Sequence, residues 1–302
     1  MTFLANLTLS SASPRLFHDP SRTTRKIHSW HVNSAISTTA VSKRRCDLYD
    51  LHKELVPYAE AWSWQKAIVK ERRALSEINE DFADTLIVLQ HHPVYTLGTG
   101  SSEEFLNFDV ICAPFDLYRT ERGGEVTYHG PGQLVMYPII NLRHHKMDLH
   151  WCRKLLLKFM HAVENKLPVL RSRSRSLLSS ASLILSGNQK LAAIGVKVSQ
   201  WITYHGLALN VTTDLTPFQQ IVPCGIRDRQ VGSIDGIIKG SFPSKGCRED
   251  DNHHADNHNL VDTTLISLLR EFCEVFQVDL HHKSIQIGIP CEKTPPPTVL
   301  KS

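Results

Sequence analysis

Five of the twelve residues from Arg122 to Gln133 are Gly or Pro, and apolar runs stand on both sides of them. No helix survives such a stretch, so residues 116–120, the loop and Leu134–Ile140 read as strand, loop and strand. Paired glycines expose backbone N–H groups and let a ligand come close. The loop is therefore either a substrate cradle, with Tyr128 and His129 as aromatic wall and polar tip, or an ordinary tight turn. It is not a Walker sequence, because no Gly-Lys-Ser/Thr follows at the required spacing. It is not a dinucleotide fingerprint, because it does not run from strand into helix.

The remaining chain interleaves short strands with a few helices. Residues 57–78 read as a helix opened by Pro57, with Tyr58, Ala61, Trp62, Gln65, Ile68 and Val69 at helical spacing. Thr85–Gln90 reads as a buried strand, ended by His91-His92-Pro93, and Val94–Gly98 continues into a glycine-bearing loop. Leu134–Ile140 reads as a central strand distorted at Pro138. Asp148 caps a helix over 149–165, and Asp262 caps another whose face is Leu265, Leu268, Leu269, Phe272, Val275 and Phe276. Leu191–Val198 and Leu207–Val211 read as strands, and Asp214–Phe218 as a cap with a short helix. There is no regular βαβ rhythm and no internal repeat. That favours α+β, with mixed or antiparallel sheets flanked by helices, over a doubly wound sheet.

The first 45 residues stand apart. They are rich in Ser and Thr and carry seven Lys or Arg residues against one acid, Asp19. Hydroxylated, basic and acid-poor is the composition of a transit peptide, and Phe3–Leu7 is too short for a secretory signal. Ser and Thr dominate over Arg, which favours chloroplast over mitochondrion; a plain disordered extension is the alternative. Residues 46–242 read as the main folded domain, 243–260 as a His-rich linker, 261–293 as a C-terminal helix and extension, and 294–302 as a tail. The seven cysteines are odd in number and irregularly spaced, which argues against a disulfide framework and for a reducing compartment. A net charge of +4, much of it from the two ends, does not point to nucleic acid. No stretch approaches the roughly 18 apolar residues of a membrane span.

Cys224 lies between Pro223 and Gly225 in Ile221–Ile226, and Lys190 opens the apolar run to Gly195. A cysteine at the end of an element, beside a cation, is a nucleophile candidate, since the reactive thiolate is favoured by nearby positive charge. A cysteine packed as a small hydrophobe and a lysine reaching solvent are the plain alternatives. His205, before Gly206–Asn210, either orients a reacting group or is satisfied locally. Cys247, His253, His254 and His258 lack the spacing of ligands on a regular element, so no metal is expected.

Together these motifs resemble the lipoyl(octanoyl) transferases, most closely the plant plastidial form. The resemblance runs from about Cys46 to about Gly236. It is carried by His91 with Pro93–Gly98, the Arg122–Gln133 loop, Lys190–Gly195, His205–Asn210 and Pro223-Cys224-Gly225, in that order. It implies the fold shared by biotin and lipoate protein ligases. It implies that octanoyl–acyl carrier protein acylates Cys224 and that a lysine ε-amine of a lipoyl domain, as in pyruvate dehydrogenase, then takes the octanoyl group. This is the first step of endogenous protein lipoylation, here in the plastid stroma. Lys190 is implied to lower the thiol pKa and to help deprotonate the incoming amine. Implied substrate contacts are Arg122, Gly123, Gly124, Glu125, Val126, Thr127, Tyr128 and His129, then Ala193, Ile194 and Gly195, then Gly206, Leu207 and Ala208. Backbone N–H groups there are implied to hold the oxyanion. No cofactor, nucleotide or metal is needed, because the thioester arrives activated.

The sequence departs from that pattern at His92, where Pro is usual, past residue 243, and above all at 167–187. An Arg-Ser repeat there replaces an expected strand hairpin before Lys190. The alternatives are an ATP-dependent lipoate or biotin ligase on the same fold, which does not need Cys224, or an inactive chain that at most binds acyl carrier protein. A cysteine hydrolase lacks a Cys–His–Asn/Asp order.

Overall fold

The computed structural model describes residues 43–145, 183–186, 189–225, 227, 229–241 and 253–284, with backbone alone for 183–186, Ser241 and 253–259. Residues 1–42 of the expected transit peptide (1–45), the helix expected at 149–165, most of 167–187, residues 243–252 and the tail lie outside the described residues, whereas Arg44 and Arg45 open the first strand.

In chain order the elements are β1 (Arg44–Val56), α1 (Tyr58–Glu77), β2 (Asp84–His91), β3 (Val94–Leu97), β4 (Asp116–Arg119), β5 (Thr127–His129), β6 (Gln133–Ile139), β7 (Leu183–Ser186), β8 (Gln189–Ser199), β9 (Ile202–Asn210), β10 (Gln230–Val231), α2 (Ile234–Ser241), α3 (His253–Phe276) and β11 (Val278–His282). Short 3-10 turns at Thr216–Gln220 and Pro223–Gly225 join β9 to β10. The large sheet runs β10-β8-β9-β6-β2-β1-β11, with β7 on β8, and the small sheet runs β4-β3-β5. β1 pairs in parallel with β2 and β11, whereas β2, β6, β9 and β8 pair antiparallel in turn. The sheet is mixed, as expected for α+β.

The apolar run of β2 follows from burial on both faces. Leu86 and Val88 pack with Leu134, Met136, Leu265, Leu268, Phe272 and Phe276, toward α3. Ile87 and Leu89 pack with Val135, Tyr137, Ala61, Ile68 and Val69, toward α1. The inner face of α1 is the expected set, Tyr58, Ala61, Trp62, Gln65, Ile68 and Val69. A third cluster, with Tyr95, Leu97, Leu117, Val126, Tyr128 and Phe218, backs the small sheet.

Several expectations are corrected. The Arg122–Gln133 stretch is not loop throughout: Thr127–His129 pairs with β3. Val94–Leu97 is that β3 strand rather than the approach to a loop. Helix α3 starts at His253, so Asp262 does not cap it; its carboxylate accepts from His52 Nε2 at 2.8 Å and pairs with Lys53. Residues 253–260 are thus helix rather than linker. β9 begins five residues before Leu207, because a tight turn with left-handed Gln200 and Trp201 folds it directly back onto β8. The atypical stretch still supplies a strand beside Lys190: backbone 183–186 pairs with β8, Leu185 opposite Lys190.

Pro138 does interrupt the central sheet. The β6–β9 ladder stops at Met136 opposite Leu207 and resumes as a bridge between Asn141 and Ile202. In the gap, His205 takes a left-handed φ of 57°, and its backbone N–H donates to Gln65 Oε1 of α1 at 2.8 Å. This bulge turns His205 and Gly206 toward the site described next.

Candidate active site

Pro223–Gly225 forms a tight turn in which Cys224 is left-handed, with φ 57° and ψ 24°. Such a conformation in a non-glycine residue is held only by its surroundings. Here the Cys224 N–H donates to Val126 O at 3.1 Å, Gly225 N–H to Val222 O at 3.0 Å, and Val222 N–H to Phe105 O at 2.7 Å. The turn is thereby fastened to the segment leading into β5.

Cys224 borders two cavities. The larger, about 210 Å³, lies over β6, β8 and β9. Its wall includes the in-register pairs Ala193–Ala208, Ile194–Leu207 and Gly195–Gly206 on neighbouring strands. Arg122, Gly124, Glu125, Thr127 and His129 close it from the small-sheet side, and Tyr58, Val135, Tyr137 and His205 complete it. The smaller cavity, about 20 Å³, shares Thr127, Ala193, Ala208 and Cys224 with the larger and adds Lys190, Gln133 and Asn210. It has room for about one water molecule among polar groups.

Gly195 explains how the loop reaches the strand. A Cβ there would stand 2.8 Å from Gly123 O, and the Gly123 N–H donates to Val196 O at 3.3 Å. Glycine is the residue that permits this approach.

Positive charge is concentrated around Cys224. Lys190 is buried, and its Nζ donates at 3.0 Å to the carbonyl of Pro223, the residue before Cys224. Arg122 is buried as well. Its Nη2 donates to Thr96 O at 2.8 Å, Thr96 Oγ1 at 2.9 Å and Glu125 O at 2.8 Å, and its Nη1 to Gly123 O at 3.0 Å. These acceptors are neutral, so the guanidinium charge is not cancelled by a bound carboxylate. Desolvation pulls the Arg122 pKa down, opposed by charge on Tyr58 and Cys224. Burial also pushes the Cys224 thiol up; Arg122 and Lys190 pull it down, and Glu125 adds to the rise. Lys190 thus acts on the thiol in the implied direction. The lysine's pull is present, but desolvation outweighs it.

A hydrogen-bonded chain stiffens the wall. Gln133 Nε2 donates to Tyr128 O at 3.1 Å and Asn210 Oδ1 at 2.8 Å, leaving Gln133 Oε1 to accept from His129 Nδ1 at 2.7 Å. His129 Nε2 then faces Thr96 Oγ1 at 3.5 Å as an acceptor. Below it, His91 Nδ1 donates to Val56 O at 2.8 Å and His91 Nε2 accepts from Tyr137 at 2.6 Å. Burial drives the His129 pKa well below its usual range and that of His91 to about 4, so both are neutral near pH 7.

Of the residues singled out from sequence, Gly123, Val126, Tyr128 and Lys190 do not border the larger cavity, and Lys190 borders the smaller one. Strand alternation is the reason for Tyr128. Thr127 and His129 face the cavity, while Tyr128 packs between the rings of Tyr95, Phe115 and Phe218. Val126 contributes its carbonyl to Cys224 and its side chain to the small-sheet core. Tyr58, Val135 and Tyr137 were readable only as core positions. The alternation along Leu134–Tyr137, with Val135 and Tyr137 on one face, was the signal available for two of them.

Residues 57–247 match the lipoyl protein ligase A/B catalytic domain. A chloroplastic octanoyltransferase of Arabidopsis thaliana is 50% identical over 283 residues, covering 92% of this chain and 96% of that one. The chain belongs to the octanoyltransferases. An octanoyltransferase of Nostoc sp. PCC 7120 is 48% identical over 198 residues, covering 66% of this chain and 85% of its own. Among solved structures, a lipoate protein ligase of Thermoplasma acidophilum with bound lipoic acid superposes with a TM-score of 0.55 at 17% identity, over 80% of this chain and 90% of that one. That likeness establishes the lipoate-ligase fold. This octanoyltransferase is therefore an acyltransferase acting in protein lipoylation.

Proposed function

We propose that Cys224 carries the octanoyl group as a thioester between octanoyl–acyl carrier protein and the lysine ε-amine of lipoyl domains. The observation that carries this reading is the placement of Cys224. It sits in a left-handed turn, bordering an open cavity of about 210 Å³, with two buried cations acting on its sulfur. In the first half-reaction the sulfur attacks the incoming carbonyl carbon. A C–S bond forms to Cys224, the C–S bond to the carrier breaks, and the thiol proton leaves with the carrier sulfur. Arg122 and Lys190 support the thiolate against desolvation. Arg122, satisfied only by neutral acceptors, also acts on the oxyanion beside Gly195 and Gly206, which border the cavity. Tyr58, Val135, Leu207 and Ala208 offer the apolar wall for the acyl chain.

The relative in Arabidopsis is chloroplastic. With the Ser/Thr-rich, acid-poor first 45 residues, this supports action in the plastid stroma on lipoyl domains there.

The test is the intact mass of the protein after incubation with octanoyl–acyl carrier protein, beside Cys224→Ala. One octanoyl group on the wild type and none on the variant supports the thioester. Folded wild-type protein that transfers octanoyl without ever carrying it on Cys224 overturns it.

A further inference from the structure

Glu125 is the one acid among the described residues that line the larger cavity. Its stem lies against Gly225, the residue after Cys224: a Cβ at Gly225 would stand 3.4 Å from Glu125 Cγ. Its carboxyl group reaches the exposed Gly100, where a Cβ would stand 2.8 Å from Oε1. The other oxygen, Oε2, is buried and has no hydrogen-bond donor among the described residues. A carboxylate oxygen left so is costly unless a ligand supplies the donor. Arg122 is near enough for each charge to act on the other, yet it donates to the backbone carbonyl of Glu125 and not to the carboxylate.

Glu125 also works against the nucleophile. Its charge raises the Cys224 pKa, which Arg122 and Lys190 lower. Thioester formation gains nothing from such a residue, because the reacting end of the acyl donor is uncharged. The reacting end of the acceptor is not: a lysine amine arrives as an ammonium, with an ordinary pKa of about 10.4. It must approach a site that already holds two buried cations, Arg122 and Lys190. A carboxylate beside the nucleophile offsets that repulsion. Phe105 suits the rest of the side chain. Its half-buried ring lies 3.3 Å from where a Gly225 Cβ would stand, an apolar face for lysine methylenes.

We propose that Glu125 is a binding residue for the second substrate: its unpaired carboxylate oxygen takes the ammonium of the acceptor lysine, whose methylenes pack on Phe105, beside the Cys224 thioester. This rests on the thioester reading above. Proton removal by Lys190, which the family resemblance implies, comes after this binding step and is unaffected by it. The charged and titratable groups acting on Glu125 or on its neighbour Cys224 are Arg122, Lys190 and the exposed Glu104.

The test uses full-length protein acylated by octanoyl–acyl carrier protein, freed of carrier and mixed with rising concentrations of a lipoyl domain, with transfer followed by intact mass. In Glu125→Gln the concentration that gives half the maximal rate is expected to rise about tenfold, the worth of one charged hydrogen bond. The rate at saturation is expected to change far less, and added salt to weaken the wild type more than the variant. Hydroxylamine, mainly uncharged at neutral pH, is expected to deacylate both at comparable rates. An unchanged half-maximal concentration overturns the proposal, and so does an equal loss of deacylation by hydroxylamine. A second measurement needs no variant of this protein. By calorimetry, a lipoyl domain with methionine at the acceptor position is expected to bind the unacylated wild type about tenfold more weakly than the native domain does. That difference is expected to vanish in Glu125→Gln. Equal binding of the two domains by the wild type overturns the proposal even if Glu125→Gln does not fold, and a difference that persists in folded Glu125→Gln assigns the ammonium to another group. Absence of any thioester on the wild type instead sinks the function proposed above.

Discussion

Gly206→Ala tests the bulge on which this site depends. A Cβ at Gly206 would lie 2.0 Å from Met136 O and 2.7 Å from Pro138 Cδ. Ordinary contact needs about 3.4 Å, so strand β6 would have to retreat by about 1.4 Å. Neither neighbour is free to move. Met136 sits in the last rung of the ladder to β9, opposite Leu207, and the ring of Pro138 has a fixed φ. Overpacking of this kind costs about 1–3 kcal/mol, and loosening that rung adds about 1 kcal/mol, giving about 2–4 kcal/mol. For a domain of this size that lowers Tm by roughly 5–15 °C. Gly123→Ala is the internal control. Its Cβ would meet Val196 O at 3.4 Å, an ordinary contact. Calorimetry or urea melts of both variants decide the matter. If Gly206→Ala melts within a degree or two of wild type, or Gly123→Ala falls as far, close approach at the bulge is not what requires glycine.

Two variants should move the Cys224 thiol in opposite directions. Lys190→Met removes a charge that lowers its pKa, and Glu125→Gln removes one that raises it. The midpoint of thiol alkylation against pH should rise in the first and fall in the second; midpoints moving the same way contradict this electrostatic account. His91 adds a pH dependence to stability. Its folded pKa of about 4 lies below the ordinary 6.5, so its contribution is complete above about pH 6.5 and is lost as pH falls toward 4. The loss is about 3 kcal/mol, read from urea melts as a pH slope that flattens in His91→Gln. Tyr137→Phe leaves His91 Nε2 without its donor and should cost about 1–3 kcal/mol, measured in the same way.

Legibility varied with how local the cause was. The inner face of α1 and the run of β2 follow from periodicity, because burial of a helix stripe or a central strand imprints directly on the residues. Strands β1 and β11 gave no such signal. Much of each is only partly buried, and they are strands because they pair with each other and with β2. Asp262 looked like a cap because its partner, His52, is 210 residues away in sequence. Tyr128 looked like a wall of the site because a loop was read where β3 imposes a strand.

The sequence by itself supplied the candidate groups: a cysteine in a Pro–Gly turn, a lysine beside an apolar strand, and loops free enough to approach a ligand. Those are properties of residue types and their immediate neighbours. Only the tertiary structure decided the electrostatics and the access. Whether the thiol lies above or below its ordinary pKa depends on how much solvent Cys224 gives up, and here desolvation outweighs the pull of Lys190 and Arg122. Whether His205 is spare or satisfied depends on a ladder broken by Pro138, a side chain from α1 and an acid from the loop after β4. Each of these sums contributions from segments far apart in the chain. Solvation and pairing are properties of the assembled surroundings, which no local pattern encodes.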